Sequence, residues 1–551
     1  MDRRALMLAT GGLLGGAGAA RILAAGPASA DPVLPAVVFD VREHGAVGDG
    51  VADDTAAFRS ALTRARAVPG GGATLLVPPG SYALGESLLL GPGMTVQAHG
   101  ARLFRTGNTS ALIKNYTSGM PAVSGYQGAG NIRVFGGTWD MRGSQFTSTC
   151  PAFVFTHADG FTVRDATVLD VPQAHAIELN AVRRARIVDC LFDGVYAGSG
   201  TPAVPNRLEA VQITGATGAA NLPAPDFDGT PCEDILISGC VMRNSRPTVN
   251  SPYDALCGDH YVAPADAPPT HRRPHRNIRV LANRVESSGA YGVRATDWAQ
   301  SVIADNTIEA TAITGIHVSS GSGVPIEDVS VTGNTILGAG SGGGTGSGGG
   351  IVVSNTSAGQ NSSVVVSGNV IRATNGETGI YVSRTDGATI TGNVVATTGH
   401  PSDGNCQGIQ VQRSPHAVII GNHLSALAGD GIGVDTGSTE ALIAQNTVLG
   451  AVQNGISVAS SEAAVRDNRI TGAGTGGLAG SYAIRIGGNA VNVSVQGNVA
   501  RVGTSGGGAA EAGVGVMPGS QGAWVTGNDL RGWVTAVRNL GTGTVADGNL
   551  G

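Results

Sequence analysis

Aromatic residues are scarce in this 551-residue chain, at 4%, and charged residues, at 13%, are fewer than an ordinary globular domain carries. There is a single lysine, Lys114, and no basic run to track a phosphate backbone. With a net charge of −6 and a pI near 6.0, there is no electrostatic reason to expect nucleic acid as a partner. The same mild acidity disfavours a polyanionic partner on average, although a few local arginines in a cleft can outweigh it. Six cysteines are too few and too scattered for a disulfide framework, and no CxxC pair suggests zinc. Beyond the N-terminus no stretch approaches ~18 uninterrupted apolar residues, so no membrane-spanning helix is expected. What is abundant is glycine, 87 residues, beside 41% apolar residues. That combination implies many tight turns between short strands, with ample material for a large core.

Residues 1–30 read as a targeting segment. Asp2-Arg3-Arg4 precedes an apolar Gly/Ala-rich stretch over residues 5–20, and Ala28-Ser29-Ala30 supplies a small-residue cleavage site before Asp31. The paired arginines resemble a twin-arginine signal, from which Asp2 and Arg21 depart, and secretion without a membrane anchor is expected.

The remainder is a repeat. From Asn283 onward an alternating apolar strand ends in a Gly/Asp-Asn turn, as in Val331-Thr-Gly-Asn334, Val366-Ser-Gly-Asn369, Ile390-Thr-Gly-Asn393 and Val525-Thr-Gly-Asn528; these asparagines recur every 22 to 35 residues. That is the period of one solenoid turn with variable loops. Between them lies a second phrase, as in Gly315-Ile-His-Val318, Gly379-Ile-Tyr-Val382 and Gly431-Ile-Gly-Val434. Each coil therefore holds at least two strands, with Ile and Val inward and the intervening residue outward. Equivalent residues of coils ~4.8 Å apart stack, and the asparagines are expected to satisfy their amides along the stack. β-Branched strands with glycine inside every repeat exclude a helical solenoid. Cys190 and Cys240 fall at one place in the repeat, as a bridge or as a buried thiol pair.

Ahead of the repeat, Val38 to Thr55 leads into a helical stretch with Ala57, Phe58, Ala61, Leu62 and Ala65 on one face, which Asp53 or Asp54 would cap. Residues 31–70 are expected to close the open end of the solenoid formed by residues 71–551. Turn and capping chemistry accounts for the Gly-Asp-Gly and Asp-Asp runs better than a metal loop does.

The phrase Phe39-Asp-Val-Arg-Glu-His-Gly-Ala-Val-Gly-Asp-Gly50 with Asp53-Asp54-Thr55, and the later Leu76-Val-Pro-Pro-Gly-Ser-Tyr82, resemble the N-terminal signature of the pectate lyase-like superfamily. The stretch 125–283 resembles bacterial glycoside hydrolase family 28, the polygalacturonase-like proteins, through Gly136-Gly-Thr-Trp-Asp140, His175-Ala-Ile-Glu178 and Glu209-Ala-Val-Gln212. The resemblance implies an all-β, right-handed parallel β-helix that acts on a polysaccharide. The Asn-Thr-Asp, Gly-His-Gly and Arg-Ile-Lys motifs of polygalacturonases are missing, which puts pectin itself in doubt.

Aligning the second phrase upstream predicts polar columns on one face, within residues 130–320. One stacks His175, Glu209, Asp254 and Tyr291; a second stacks Glu178, Gln212, Cys257, Arg294 and His317; a third runs Asn180, Thr214, Asp259 and Thr296. The long loops 197–207, 216–231 and 262–276 would wall a groove. Glycoside hydrolysis needs a carboxylic acid and a second carboxylate, and this face supplies Glu178, Glu209, Asp254 and Asp259, with Glu209 and Asp254 the preferred pair. His175 and His260 would orient a carboxylate or share a proton; Arg294, Tyr291, Gln212, Trp139, Asp140 and His317 would hold the sugar. Hydrolysis requires no cofactor. A lyase or epimerase is the alternative: it would need a Lys, Arg, His or Tyr base and often calcium, with Asp226, Asp228 and Glu209 as possible ligands. A non-catalytic glycan-binding protein is the competing class, set against hydrolysis by the plain Gly/Thr/Ser face after residue 320. Nothing in the sequence demands an oligomer.

Overall fold

The computed structural model describes residues 37–197, 208–216, 228–259, 273–321, 324–341, 348–355, 360–375, 378–398, 406–477, 480–503 and 511–551. The expected targeting segment lies outside them.

Short strands wind into three parallel sheets, of 20, 16 and 16 strands among the described residues. One coil runs through His275–Leu281 in sheet one, Arg284–Val285 in sheet two and Tyr291–Thr296 in sheet three. The next coil lies parallel to it, with Val302 opposite Arg279, Ile308 opposite Val285 and His317 opposite Arg294. This is the right-handed parallel β-helix expected from the repeat.

The inward residues form the core. Ile316, Ile351, Ile380, Ile409, Ile432, Ile456 and Ile484 stack in register down sheet three with no exposed surface. Each such side chain stabilises the fold by about 1.5–3 kcal/mol over leaving it in water. The glycine before each of these isoleucines, replaced by Ala483 only before Ile484, turns its Cα toward sheet two. A Cβ on Gly379 would lie 2.3 Å from Val395 Cγ1 and 2.6 Å from the Gly408 carbonyl oxygen, so the corner closes because no side chain is there.

At the turn from sheet one to sheet two, the residue before each asparagine is left-handed. Gly392 has φ 64° and Asp467 φ 56°, and the position is Gly or Asp, which tolerate that conformation, in every coil of the ladder but those of Ala282 and Gln445. The asparagines then stack as expected. Asn393 donates its backbone N–H and its amide to Asn422 Oδ1, each at 2.9 Å, and the amide also reaches the Val366 carbonyl at 2.9 Å. The ladder continues to Asn549 with its interior members 0–2% exposed, so every buried amide is satisfied by the next coil. Before Asn283 the slot belongs to Cys190 and Cys240, and Cys240 N–H donates to Asn283 Oδ1 at 2.9 Å. All six cysteines are buried. The Cys240 thiol and burial together push the Cys190 thiol well above its ordinary value.

The helix Thr55–Arg66 lays Ala57, Phe58, Ala61, Leu62 and Ala65 on the first coils, with the Phe58 ring edge-on to Tyr82 at 5.4 Å. Asp54 is the N-cap residue, yet its carboxylate serves the preceding turn, accepting from Val47 N–H at 2.6 Å. Asp53 accepts from Thr55 N–H at 3.0 Å, and Asp49 from Val51 and Ala52 N–H at 2.8 Å each. The acidic residues of this segment thus do turn chemistry.

Candidate active site

Sheet three bends as it begins, so successive residues do not simply alternate. In strand Glu209–Thr214, Ala210 and Val211 both enter the core, leaving Glu209, Gln212 and Thr214 on the outer side. Two outer columns result. The first contains His175, Glu209, Ala255, Tyr291 and Thr314 in register. The second reads Leu89, Lys114, Val154, Glu178, Gln212, Gly258, Arg294, His317 and Val352.

The coil at 253–258 corrects the expected columns by one residue. Ala255, and not Asp254, faces Glu209; Gly258, and not Cys257, faces Gln212, while Cys257 faces Val211 in the core. The register is set by burial of Leu256 and Cys257 as the inward pair, and a slip of one residue would put them in solvent. The Asp254 carboxylate instead accepts from Leu208 N–H at 2.9 Å, anchoring the residue before Glu209. Asp259 is also displaced from its expected column, whose members Asn180 and Thr214 do pair. It is buried with its Oδ2 3.2 Å from His275 Nε2; His275 Nδ1 accepts from Cys232 N–H at 2.9 Å, so the ring proton sits on Nε2, toward Asp259. Trp139 is no sugar platform: it is fully buried in sheet two, edge-on to Phe153 at 5.1 Å, with Nε1–H donating to the Gly136 carbonyl at 3.0 Å. Asp140, on the same strand, pairs with Arg102 at 2.6 Å, on a different face from Glu209. His260, Asp226 and most of the three long loops lie outside the described residues.

The remaining residues converge. His175 Nδ1 lies 3.0 Å from the Glu209 carbonyl oxygen and 3.4 Å from Glu209 Oε2. Arg294 Nη1 lies 3.9 Å from Glu209 Oε1, and the guanidinium covers the Tyr291 ring at 5.3 Å. Tyr291 stacks on His317 at 5.3 Å with 17° between the planes, and Ser354 Oγ is 3.4 Å from His317 Nε2. Burial, then the neighbouring Arg294 charge, lowers His317 to about 4, so the ring is neutral at pH 7. Glu209 is 0% exposed and Glu178 2%. Removing two carboxylates from water costs several kcal/mol each unless the surroundings compensate, so their presence here needs a reason. Burial is the main cause that raises the Cys150 and Cys257 thiols, with the Glu178 and Glu209 charges adding to it.

Lys114 is the residue whose place the sequence reading missed. It stands two rungs above Glu178 in the second column, beside a pocket of about 250 Å³ lined by Asn115, Tyr116, Val154 and Thr156. Burial lowers its ammonium below the usual value. Leu112-Ile113-Lys114 repeats the inward, inward, outward triplet of Ala176-Ile177-Glu178, and that was the available signal. Asp228 spends its oxygens on Gly125 and Thr230 N–H, at 2.7 and 2.9 Å, and Glu209 already faces a cation in Arg294. Among the described residues no three His, Cys, Asp or Glu side chains gather around a common point, and no helix is long and apolar enough to cross a membrane.

Residues 151–361 and 329–500 match the family described as "right handed beta helix region", and residues 38–193 match "rhamnogalacturonase A/epimerase, pectate lyase-like". Plasmin and fibronectin-binding protein A of Streptococcus pneumoniae is 24% identical over 299 residues, which are 49% of this chain and 39% of that protein. The match therefore spans well under half of that relative. Among solved structures, PfbA, a surface adhesin of Streptococcus pneumoniae, is similar at a TM-score of 0.49 and 18% identity, over 80% of this chain and 92% of that one. The tailspike of E. coli bacteriophage HK620 in complex with a pentasaccharide is similar at 0.49 and 13%, over 92% and 80%.

Proposed function

The chain belongs to the right-handed β-helix family of the pectate lyase-like superfamily, and from that premise we propose that it is a glycoside hydrolase acting on a polysaccharide along the outer face of sheet three. One observation carries the reading: on five successive coils this face gathers two buried carboxylates, Glu178 and Glu209, with His175, Arg294, Tyr291 and His317, whereas the second column continues as Val352, Tyr381, Gln410, Gly433, Ser457 and Arg485, without a carboxylate. Ionisable groups held at such cost in one place are a mark of chemistry.

Glu209, with Arg294 at 3.9 Å, takes the part of the base, and Glu178 the part of the acid that protonates the leaving oxygen. Their Cα atoms are about 10 Å apart, one coil across and three residues along a bent strand. A carboxyl spacing of ~6.5–9.5 Å, with water between the two, would make the enzyme inverting, and one of ~5 Å retaining. His175 orients Glu209, Asp254 positions the strand that carries it, and Tyr291, held by Arg294 and His317, offers a ring to a sugar. Lys114, two rungs above Glu178, favours a second reading, β-elimination or epimerisation of a uronate. An extracellular or cell-surface setting goes with either reading: the substrate is a polymer, and the streptococcal relative is named for binding plasmin and fibronectin.

The test is reducing-end release, with the ultraviolet absorbance of unsaturated uronates followed in parallel, on neutral and acidic polysaccharides with the wild-type protein, Glu178→Gln and Glu209→Gln. Reducing ends without new absorbance, lost in both variants, support hydrolysis. New absorbance moves the assignment to a lyase. Binding without turnover on every substrate overturns the enzymatic reading.

A further inference from the structure

A second face of the solenoid carries an ordered row of cations. On the outer side of sheet one the register runs Arg133, Thr162, Arg186, Leu236, Arg279. Arginines thus occupy alternate coils, with a neutral residue between each pair, and two coils separate their Cα atoms by ~9.6 Å. Two of the three are held from behind. Asn131 and Asn277, each two residues earlier and left-handed at φ 54° and 52°, accept from Arg133 Nη2 at 2.8 Å and Arg279 Nε at 3.1 Å. Arg186 is exposed and has no hydrogen-bond or ion-pair partner among the described residues. A hollow of about 310 Å³ opens between Arg186 and Arg279, floored by Leu236 and flanked by Arg184, Asp234 and Asn277. Arg184 shares Asp159 with Arg183, at 2.5 and 2.6 Å, so the hollow is lined by three arginines, one of them partly compensated, against Asp234, which accepts from Asn277 Nδ2 at 2.6 Å.

An isolated surface arginine needs no ligand, but a row does more. Three guanidinium groups at a fixed two-coil repeat, interleaved with Thr162 and Leu236, present a planar anion-binding fork, then a neutral or apolar step, then another fork. An extended acidic glycan has the complementary pattern when its charged groups recur on one side of the chain and its ring CH faces lie between them. The rise of one coil is fixed by backbone hydrogen bonds, so the repeat is rigid and selects a ligand of matching repeat.

We propose that this row on sheet one is a glycan-binding site, separate from the groove on sheet three, for an extended polysaccharide bearing a carboxylate or sulfate ester at a regular repeat. Its occupant is held by charge-assisted hydrogen bonds from Arg133, Arg186 and Arg279, with Leu236 against a sugar ring.

The experiment is a calorimetric titration of the full-length protein with polyglucuronate, dextran sulfate and dextran, and with single-stranded DNA as a polyanion that lacks the sugar repeat. Polyglucuronate is expected to bind and dextran not to. Arg186→Gln and Arg279→Gln should each weaken binding about tenfold, the double variant should abolish it, and Arg186→Lys should keep part of it. Glu209→Gln should bind as the wild type does, which separates this site from the groove whatever happens to hydrolysis. Dextran sulfate bound in place of polyglucuronate, and lost in the same variants, supports the site and assigns it to sulfate esters. Unchanged binding in the double variant, no acidic glycan bound at all, or equal affinity for single-stranded DNA would each overturn it. Arg186 is exposed, so its variants should fold; melting temperatures equal to wild type confirm this.

Discussion

The coils before residue 283 and those after it are built on the same plan but differ in what occupies the turn and the outer face. After Asn283 the turn is an unbroken asparagine ladder, and beyond Arg294 and His317 the outer column of sheet three runs through Val352, Tyr381, Gln410, Gly433, Ser457 and Arg485, with no carboxylate. Before it, Cys190 and Cys240 take the turn slot, and the column holds Lys114, Glu178 and Gln212, with Glu209 alongside. The regular turn and the buried carboxylates are thus segregated, and they meet at the coils of Arg294 and His317. The ladder makes a uniform, fully satisfied spine that tolerates variable loops, whereas the earlier coils accept buried carboxylates and irregular register, as at 253–258, in exchange for a populated face.

The sharpest way to break this contrast is to remove the carboxylates. Glu209→Gln or Glu178→Gln should lower the turnover of a cleaved polysaccharide by about 10²–10⁴-fold with little change in melting temperature, whereas Gln410→Glu, in the same column of the plain half, should confer none. Stability should respond in the opposite half. Asn422→Ala orphans the N–H and amide of Asn393 and the Ile390 carbonyl, and should cost about 3 kcal/mol or more in urea unfolding; Cys240→Ala, in the equivalent earlier slot, should cost about 1 kcal/mol.

Gly379→Ala should cost about 1–3 kcal/mol, since its methyl meets both Val395 and the next coil's backbone. The remaining effect is in pH. His317 titrates near 4 in the fold and near 6.5 unfolded, so the unfolded chain binds the extra proton first. This contribution is therefore fully present above pH 6.5 and is lost as pH drops toward 4, by roughly 3 kcal/mol, and His317→Gln should flatten that slope. A slope unchanged in the variant would show that His317 is not the group responsible.

The repeat made the solenoid legible because each coil restates the same geometric demands: β-branched residues inward, glycine at the corner, Gly or Asp before the asparagine. The helix face from Ala57 to Ala65 was legible for the same reason, as a period of burial. The outer columns were legible only where the phrase stayed regular. His175 and Glu209 could be paired by eye, as could Arg294 and His317, but Asp254-Ala-Leu-Cys matched Glu209-Ala-Val-Gln by its acid and its alanine while the core matched Leu256-Cys257 to Ala210-Val211. Trp139 in the same way looked available because it follows glycines and precedes an aspartate, yet its ring was large enough to be wanted inside.

The sequence by itself determined that the chain winds, with what period, and which residues line the core, because burial of Ile and Val and the strain-free placement of glycine are local requirements repeated in every coil. Tertiary structure alone decided which polar residues meet. The stacking register fixes neighbours to within one residue, and one residue is the difference between Asp254 facing Glu209 and Asp254 anchoring the backbone of Leu208.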